Sequence, residues 1–249
     1  MYLEIRFSLP HGYHRDLFLQ GLADLGFESF TDDAAYIPES AFREAEVRAF
    51  AEANGQTLLS IRTIPDQNWN AAWEAEHPVQ QLPLGVRITP HCAFGAGHHE
   101  TTSMMIDALL TRNLAGQTVL DMGCGTGVLA IFAKRQGAER VIAVDIDERS
   151  VRNTLENAEA NGVNLDVRLG DTPPEDRYDL ILANIHRNIL LLHMPLYARY
   201  LQPGGELWIS GFYADDVPAL TLAAANCCLR LSDHSVRDDW HRLAFTKFA

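Results

Sequence analysis

A glycine-rich turn between two apolar stretches is the part of the chain best suited to chemistry. Residues 119–130 read as an apolar strand, a turn with three glycines and the start of a helix. A second apolar strand, residues 141–145, ends in Asp145. This order is half of a nucleotide-binding α/β unit, and the turn also satisfies the spacing G-x-G-x-x-A of dinucleotide-binding proteins.

Asp121, immediately before the turn, discriminates between ligands. A carboxylate there suits a pyrophosphate poorly, because a pyrophosphate needs N–H donors and no nearby anion. It suits the ammonium and sulfonium groups of S-adenosylmethionine, whose ribose hydroxyls Asp145 would hold. The pattern Asp121-x-Gly123-x-Gly125-x-Gly127 with Asp145 resembles the class I S-adenosylmethionine-dependent methyltransferases. The alternative is a plain strand–turn–helix with incidental acids.

Composition narrows the class of protein. The 249 residues are 47% hydrophobic, and no segment approaches the ~20 apolar residues of a membrane span. The start of the chain lacks a signal-peptide pattern, and the four cysteines form no C-x-x-C pair, so we expect a reduced, soluble, cytoplasmic protein. A net charge of −13 disfavours nucleic-acid binding and favours a basic partner or a small substrate, although solubility alone also explains it.

The first part of the chain predicts a separate small domain. Residues 1–64 contain strand and helix patterns in the order βαββαβ, which is the ferredoxin-like arrangement. Residues 65–78 predict a linker helix, with Trp69 and Trp73 on one face. Leu82-Pro83 predicts a loop.

From Thr118 onwards, strand and helix patterns alternate, which predicts a mostly parallel sheet covered by helices on both faces. The last two strand patterns predict an antiparallel terminal hairpin. We therefore expect an α/β fold with a Rossmann-like sheet over residues 79–249. The predicted strands are 118–121, 140–145, 165–169, 178–183, 205–210, 228–236 and 241–248, and the predicted helices are 128–136, 148–161, 186–201 and 214–226.

Sheets of this kind bind ligands at the carboxyl ends of their strands. Four strand ends carry suitable groups: Asp121 with the glycine turn, Asp145, Asp171 and Asn184. Asp171 is a candidate acceptor for the adenine amino group.

A second glycine-rich segment, residues 93–102, precedes the first sheet strand. Its last two residues are threonines that begin a predicted helix, whose N–H groups and hydroxyls are suited to the carboxylate of methionine. His98, His99 and Glu100 are a weak metal candidate, because adjacent residues point different ways and H-E-x-x-H is absent.

A more specific resemblance rests on the whole set of motifs. The chain resembles the ribosomal protein methyltransferases of the PrmA type, which act on protein eleven of the large subunit. The segments that carry this resemblance are 68–73, 94–102, 120–131, 144–147, 157–162, 182–185, 203–207, 210–212 and 239–242. The resemblance implies a substrate-recognition role for residues 1–64 and methyl transfer to amines by direct displacement. We expect Asn184, at a predicted strand end, to orient the amine through its side-chain or backbone carbonyl. The residues it implies for S-adenosylmethionine are Thr102, Gly123, Asp145 and Asn184, to which we add Asp121, Gly125, Asp171 and Phe94 as candidates.

Two departures from the family pattern leave alternatives open. Ala96 replaces a usual threonine, and His186 and Arg187 replace a usual Leu-Ala. The alternatives are a methyltransferase of another protein or small-molecule acceptor, and a non-catalytic module that binds S-adenosylmethionine. Membrane association is not expected, and the sequence does not indicate an oligomeric state.

Overall fold

The structure is a computed structural model that describes residues 2–8, 13–27, 29–31, 34–64, 79–90 and 99–248. The chain divides into two compact units, Met1–Ala75 and Glu76–Ala249. The predicted linker helix over residues 65–78 lies outside the described residues. Within the described ranges, no helix is both long and apolar enough to cross a membrane.

The N-terminal unit has the predicted βαββαβ order. Its sheet runs β2-β3-β1-β4 with every neighbouring pair antiparallel, which confirms the ferredoxin-like arrangement. The elements are β1 Tyr2–Phe7, α1 Tyr13–Asp24, β2 Ser29–Phe30, β3 Ala34–Pro38, α2 Glu44–Ala53 and β4 Leu58–Ile64.

The core of this unit follows from strand alternation. In β1, Leu3, Ile5 and Phe7 are buried, as the period of two requires for one covered face. The ring of Phe18 from α1 meets Phe7 edge-on, with centroids 5.4 Å apart, and stacks at 5.3 Å on Phe50 from α2. These aromatic contacts hold both helices against the sheet.

The second unit contains a seven-stranded sheet in the order β12-β13-β11-β10-β7-β8-β9. β13 pairs antiparallel with both neighbours and the other pairings are parallel, which confirms the predicted mostly parallel sheet. The strands are β5 Gln80–Gln81, β6 Arg87–Ile88, β7 Thr118–Met122, β8 Arg140–Asp145, β9 Asp166–Leu169, β10 Tyr178–Asn184, β11 Leu201–Tyr213, β12 Leu229–Arg237 and β13 Trp240–Lys247. The helices are α3 Glu100–Leu110, α4 Val128–Arg135, α5 Glu148–Ala160, α6 Arg187–Tyr200 and α7 Val217–Asn226, with short 3₁₀ turns at Pro83–Gly85 and Ala214–Asp216.

One feature was not predicted from the sequence, and one strand boundary differs from the prediction. The predicted loop at Leu82-Pro83 is the turn of a small hairpin, β5–β6, closed by a bond from the Leu82 N–H to the Val86 carbonyl at 2.8 Å. β11 begins four residues before the predicted position, because it continues along the start of β10 across a register shift. Both depend on pairing with another segment of the chain, which the local pattern of apolar residues does not show.

Two apolar layers sandwich the large sheet. One cluster joins the sheet to buried residues of α3 and α4, such as Met105 and Phe132. The other joins it to buried residues of α6 and α7, such as Leu190, Tyr197 and Leu220. Covering both faces explains why the central strands read as continuous apolar runs.

The buried face of α5 is polar, unlike that of the other helices. Asn153, Asn157 and Asn161 recur every fourth residue and therefore lie on one side of the helix. Asn157 accepts from the Thr89 N–H at 2.9 Å and donates to the carbonyls of Thr89 and Thr126 at 3.2 and 2.9 Å. Asn161 bonds both backbone groups of Arg87. This asparagine ladder (Asn153, Asn157, Asn161) fixes the end of β6 to α5.

Replacing Asn157 by alanine should destabilise the protein strongly. The change leaves three backbone groups without this partner in a buried position, which we expect to cost about 2–4 kcal/mol in the free energy of unfolding. Denaturant unfolding measures it. The matched control is Glu159→Ala on the exposed side of the same helix, expected to stay within about 0.5 kcal/mol. Equal losses for both variants would contradict a structural role for the ladder.

Candidate functional site

Four neighbouring strands end at the same edge of the large sheet. β10, β7, β8 and β9 are parallel, and their registers pair Met122 with Ala183 and with Val144, and Asp145 with Leu169. The segments that follow these strands are therefore adjacent in space. This edge is the place where open α/β sheets bind ligands.

The glycine turn after β7 is shaped by a close approach from the end of β10. Gly123 has φ 74°, and a Cβ there would lie 2.2 Å from Cγ2 of Ile185. The Gly123 N–H donates to the Val144 carbonyl at 2.8 Å, which ties the turn to β8. Only glycine satisfies both conditions at this position.

Asp145 joins the glycine turn to the turn that follows β8. Its Oδ2 accepts from the Gly125 N–H at 2.9 Å, and its Oδ1 accepts from the Asp147 N–H at 3.0 Å. A carboxylate has about four acceptor positions, so two bonds leave capacity for two more donors. Asp145 is thus both a structural brace and a possible acceptor for ligand hydroxyls.

Asp121 lies beneath the turn and is 1% exposed. Its Oδ2 accepts from the Ala130 N–H at 3.0 Å. The pKa of Asp121 is raised to about 7: burial raises it most, the bond from the Ala130 N–H lowers it, and nearby Asp145 adds a smaller increase. A carboxyl group that is half protonated near neutrality would gain its charge when a cation binds beside it.

Asn184, at the end of β10, is half-buried and bonded to α3. Its Nδ2 donates to Oγ1 of Thr102 at 3.2 Å, and Thr102 is itself buried. The amide oxygen of Asn184 is then the acceptor that this side chain offers to an incoming N–H. His99 caps the same helix, accepting from the Thr101 N–H at 3.4 Å.

The remaining predicted site residues are less closely connected. Asp171 is exposed and stands two residues after β9, next to Gly170, whose N–H donates to the Asp145 carbonyl at 2.8 Å. Phe94, Ala96 and His98 lie outside the described residues. Within the described ranges, no three His, Cys, Asp or Glu side chains form a group that could hold a metal ion.

Sequence reasoning missed the apolar surfaces at this edge. Ile146, which follows Asp145, is 74% exposed. Leu169, which pairs with Asp145 in the sheet, is 53% exposed. Aromatic rings cluster at the neighbouring strand ends: Tyr213 lies 4.0 Å from Trp240 between centroids, and His99 meets the Trp240 ring at 4.9 Å. An apolar residue between two acids, as at position 146, was the available signal for the first of these surfaces.

One open cavity is lined by residues other than these strand-end groups. It has a volume of about 540 Å³ and lies between α3 and the β12–β13 hairpin. Its charged groups pair with one another: Arg112 with Glu206 at 2.7 Å, and Arg237 with Asp107 at 2.9 Å. We assign the site from the strand ends because their polar groups converge there.

Replacing Asp121 by asparagine should change how stability depends on pH. The folded protein holds this proton more tightly than the unfolded chain, so the wild-type protein loses stability as pH rises from about 4 through about 7. Asparagine does not titrate. The unfolding free energy of Asp121→Asn relative to wild type should increase by up to about 4 kcal/mol between about pH 4 and about pH 8. Denaturant unfolding across this range measures it, and a pH-independent difference would contradict the raised pKa.

Comparison with known proteins assigns the family. Residues 69–248 match the family model of "Ribosomal protein L11 methyltransferase (PrmA)". A protein of that name from Porphyromonas gingivalis is 43% identical, over 93% of this chain and 90% of its own length. Another from Bacteroides fragilis is 37% identical, over 92% of this chain and 93% of its own length.

Solved structures agree with the fold. The ribosomal protein L11 methylase of Lactobacillus delbrueckii is 29% identical, with a TM-score of 0.58 over 61% of this chain and 81% of its own. A methyltransferase from Pyrococcus furiosus shares the fold at 18% identity, with a TM-score of 0.59 over 73% of this chain and 95% of its own. With its motifs, its sheet order and these relatives, the chain belongs to the ribosomal protein L11 methyltransferase (PrmA) family.

Proposed function

We propose that this protein transfers methyl groups from S-adenosylmethionine to amino groups of ribosomal protein L11 in the large subunit. The observation that carries the proposal is the set of groups at one sheet edge: Asp121, Asp145 and the Asn184–Thr102 pair. The family assignment supplies the class of reaction and the acceptor protein. A ribosomal protein as substrate supports a cytoplasmic location for the reaction.

The residues at this edge fit S-adenosylmethionine. Asp121 accepts a hydrogen bond from the Ala130 N–H and has a raised pKa, so it suits the cationic end of the ligand. Asp145 keeps acceptor positions for ribose hydroxyls, and exposed Ile146 and Leu169 offer apolar contact to a flat base. When bound, the cofactor supplies a methyl group on a sulfonium, which is already a good electrophile. Asp171, Gly125, Thr102 and Phe94 remain our further candidates for its contacts.

The protein's remaining task is to present a neutral amine. A free lysine has a pKa near 10.4, so deprotonation at pH 7 costs about 4.6 kcal/mol, whereas an α-amine costs about 1 kcal/mol. The aromatic rings of Tyr213 and Trp240 provide a less polar surface that lowers an amine pKa. The Asn184 oxygen would orient the amine through its N–H, and such positioning is the main contribution we assign to the chain.

One observation bears on the alternative of a small-molecule acceptor, because it weakens the case for an acceptor with negative charge. Arg187, which departs from the family pattern, lies with its Nε 3.0 Å from Oδ1 of Asp216. Its charge is therefore already compensated. A non-catalytic role is disfavoured because the bond from Asn184 Nδ2 to Thr102 leaves the Asn184 amide oxygen as an acceptor for an incoming amine.

Mass spectrometry of purified L11 after incubation with the enzyme and S-adenosylmethionine tests the proposal. We expect mass gains in steps of one methyl group, at least about 100-fold slower with Asn184→Ala because the amine is no longer oriented. The matched control is Asn226→Ala, an exposed residue at the end of α7, expected to keep wild-type activity. No gain with the wild-type enzyme, while calorimetry shows cofactor binding, would move the assignment to another acceptor.

The N-terminal unit is proposed to recognise the ribosomal protein. It has its own apolar core and its sequence carries no motif of the cofactor site. A shortened chain of residues 76–249 should bind S-adenosylmethionine with a Kd within about threefold of wild type but lose at least about 100-fold in kcat/KM for L11. Calorimetry and the methylation assay measure the two quantities. Undiminished methylation of L11 by the shortened chain would show that recognition lies elsewhere.

A further inference from the structure

The first turn of α6 is joined to the segment after β11 by an ion pair. Arg187 is the first residue of α6, three residues after Asn184, and its Nε lies 3.0 Å from Oδ1 of Asp216. Asp216 ends the 3₁₀ turn and is 8% exposed. Arg187 therefore compensates a buried carboxylate rather than a solvated one.

The other oxygen of Asp216 contacts the backbone of Tyr213. Its Oδ2 accepts from the Tyr213 backbone N–H at 3.4 Å, and the Tyr213 ring lies against the Trp240 ring with a tilt of 32°. Trp240 also meets His99, the cap of α3. A continuous set of contacts thus runs from Arg187 to the rings.

The same two segments meet a second time through their backbones. Gly211 in β11 has φ 95°, and a Cβ there would lie 2.7 Å from the Ile185 carbonyl oxygen. This contact fixes the separation of the two strand ends at one point. The Arg187–Asp216 pair joins the same two segments at a second point, beyond the ladder that pairs β10 with β11.

We propose that Arg187 is a positioning residue: through Asp216 it sets the place of Tyr213 and Trp240 beside Asn184. This inference rests on the proposed function in one respect: the proposed function has the acceptor amine bind next to Asn184, Tyr213 and Trp240. Arg187, which departs from the family pattern, is then a part of the site. Arg187 itself contacts neither acceptor nor cofactor in this assignment.

A second arginine of α6 provides the control. Arg199 pairs with Glu175 at 3.6 Å, with side chains 67% and 78% exposed. An exposed pair of this kind contributes little to structure. Arg199→Gln therefore removes the same type of charge from the same helix without touching the aromatic cluster.

The first test is the indole N–H resonance of Trp240 in a two-dimensional ¹⁵N–¹H spectrum of the full chain. The chain has four tryptophans, so Trp240→Phe assigns the peak. We expect Arg187→Gln to shift it because Tyr213 moves relative to the indole, and Arg199→Gln to leave it in place. An unshifted peak in Arg187→Gln would overturn the proposal, whatever the acceptor of the enzyme is.

The second test is kinetic coupling on L11. Arg187→Gln should lower kcat/KM for L11 about tenfold and leave the KM for S-adenosylmethionine within about twofold, and Arg187→Lys should recover part of the loss. In a Tyr213→Ala background, Arg187→Gln should add no further loss, because the group it positions is gone. Losses that multiply, or an equal loss with Arg199→Gln, would overturn the proposal. Absence of wild-type activity on L11 would reject the proposed function, while the resonance test would still decide the positioning role.

Discussion

The candidate site depends on how closely three chain segments pack around Ile185. Its side chain lies where a Cβ on Gly123 would be, and its carbonyl lies where a Cβ on Gly211 would be. The ends of β7, β10 and β11 can approach this closely only because two of the contacting residues have no side chain. These close contacts therefore set how near the turn before α4, the end of β10 and the end of β11 lie to one another. The Arg187–Asp216 pair then acts on the aromatic residues at the end of β11 and the start of β13.

Polar side chains then satisfy the backbone groups that such packing leaves without regular partners. The hydroxyl of Thr154 donates to the Gly125 carbonyl at 3.0 Å, and Asn157 bonds the carbonyl of Thr126. Buried backbone groups need partners of this kind. This requirement explains why α5 presents asparagine and threonine, instead of leucine, to the interior. A helix with so polar a buried face buries less apolar surface, but its hydrogen bonds fix the positions of the neighbouring turns.

The sequence predicted much of the fold because its signals are local. Strand alternation, the glycine turn and the alternation of strands with helices gave the order of elements in both units, and nearly all described boundaries fall within a few residues of the prediction. Parallel topology also placed Asp121, Asp145 and Asn184 at one edge. The roles of these residues toward a ligand stay predictions.

Contacts between distant residues were not predictable in this way. The Arg187–Asp216 pair, the bond between Asn157 and Thr89, and the exposure of Ile146 all depend on which segments the fold brings together. Arg187 in particular appeared as an anomaly in sequence and has a clear partner in the structure. Residue types alone do not show which residues will form such a pair, because each of these side chains can bond to many different partners.

The asparagine ladder on α5 also limits where this chain can change length. Each residue inserted into a helix turns the following side chains by about 100°. One extra residue between Asn153 and Asn161 would move part of the ladder away from Arg87 and Thr89. Insertions should therefore be tolerated in the turn after Gly162 far better than within the helix. The spacing of these asparagines is therefore a constraint on the length of the helix in designed variants, in addition to the identity of each residue.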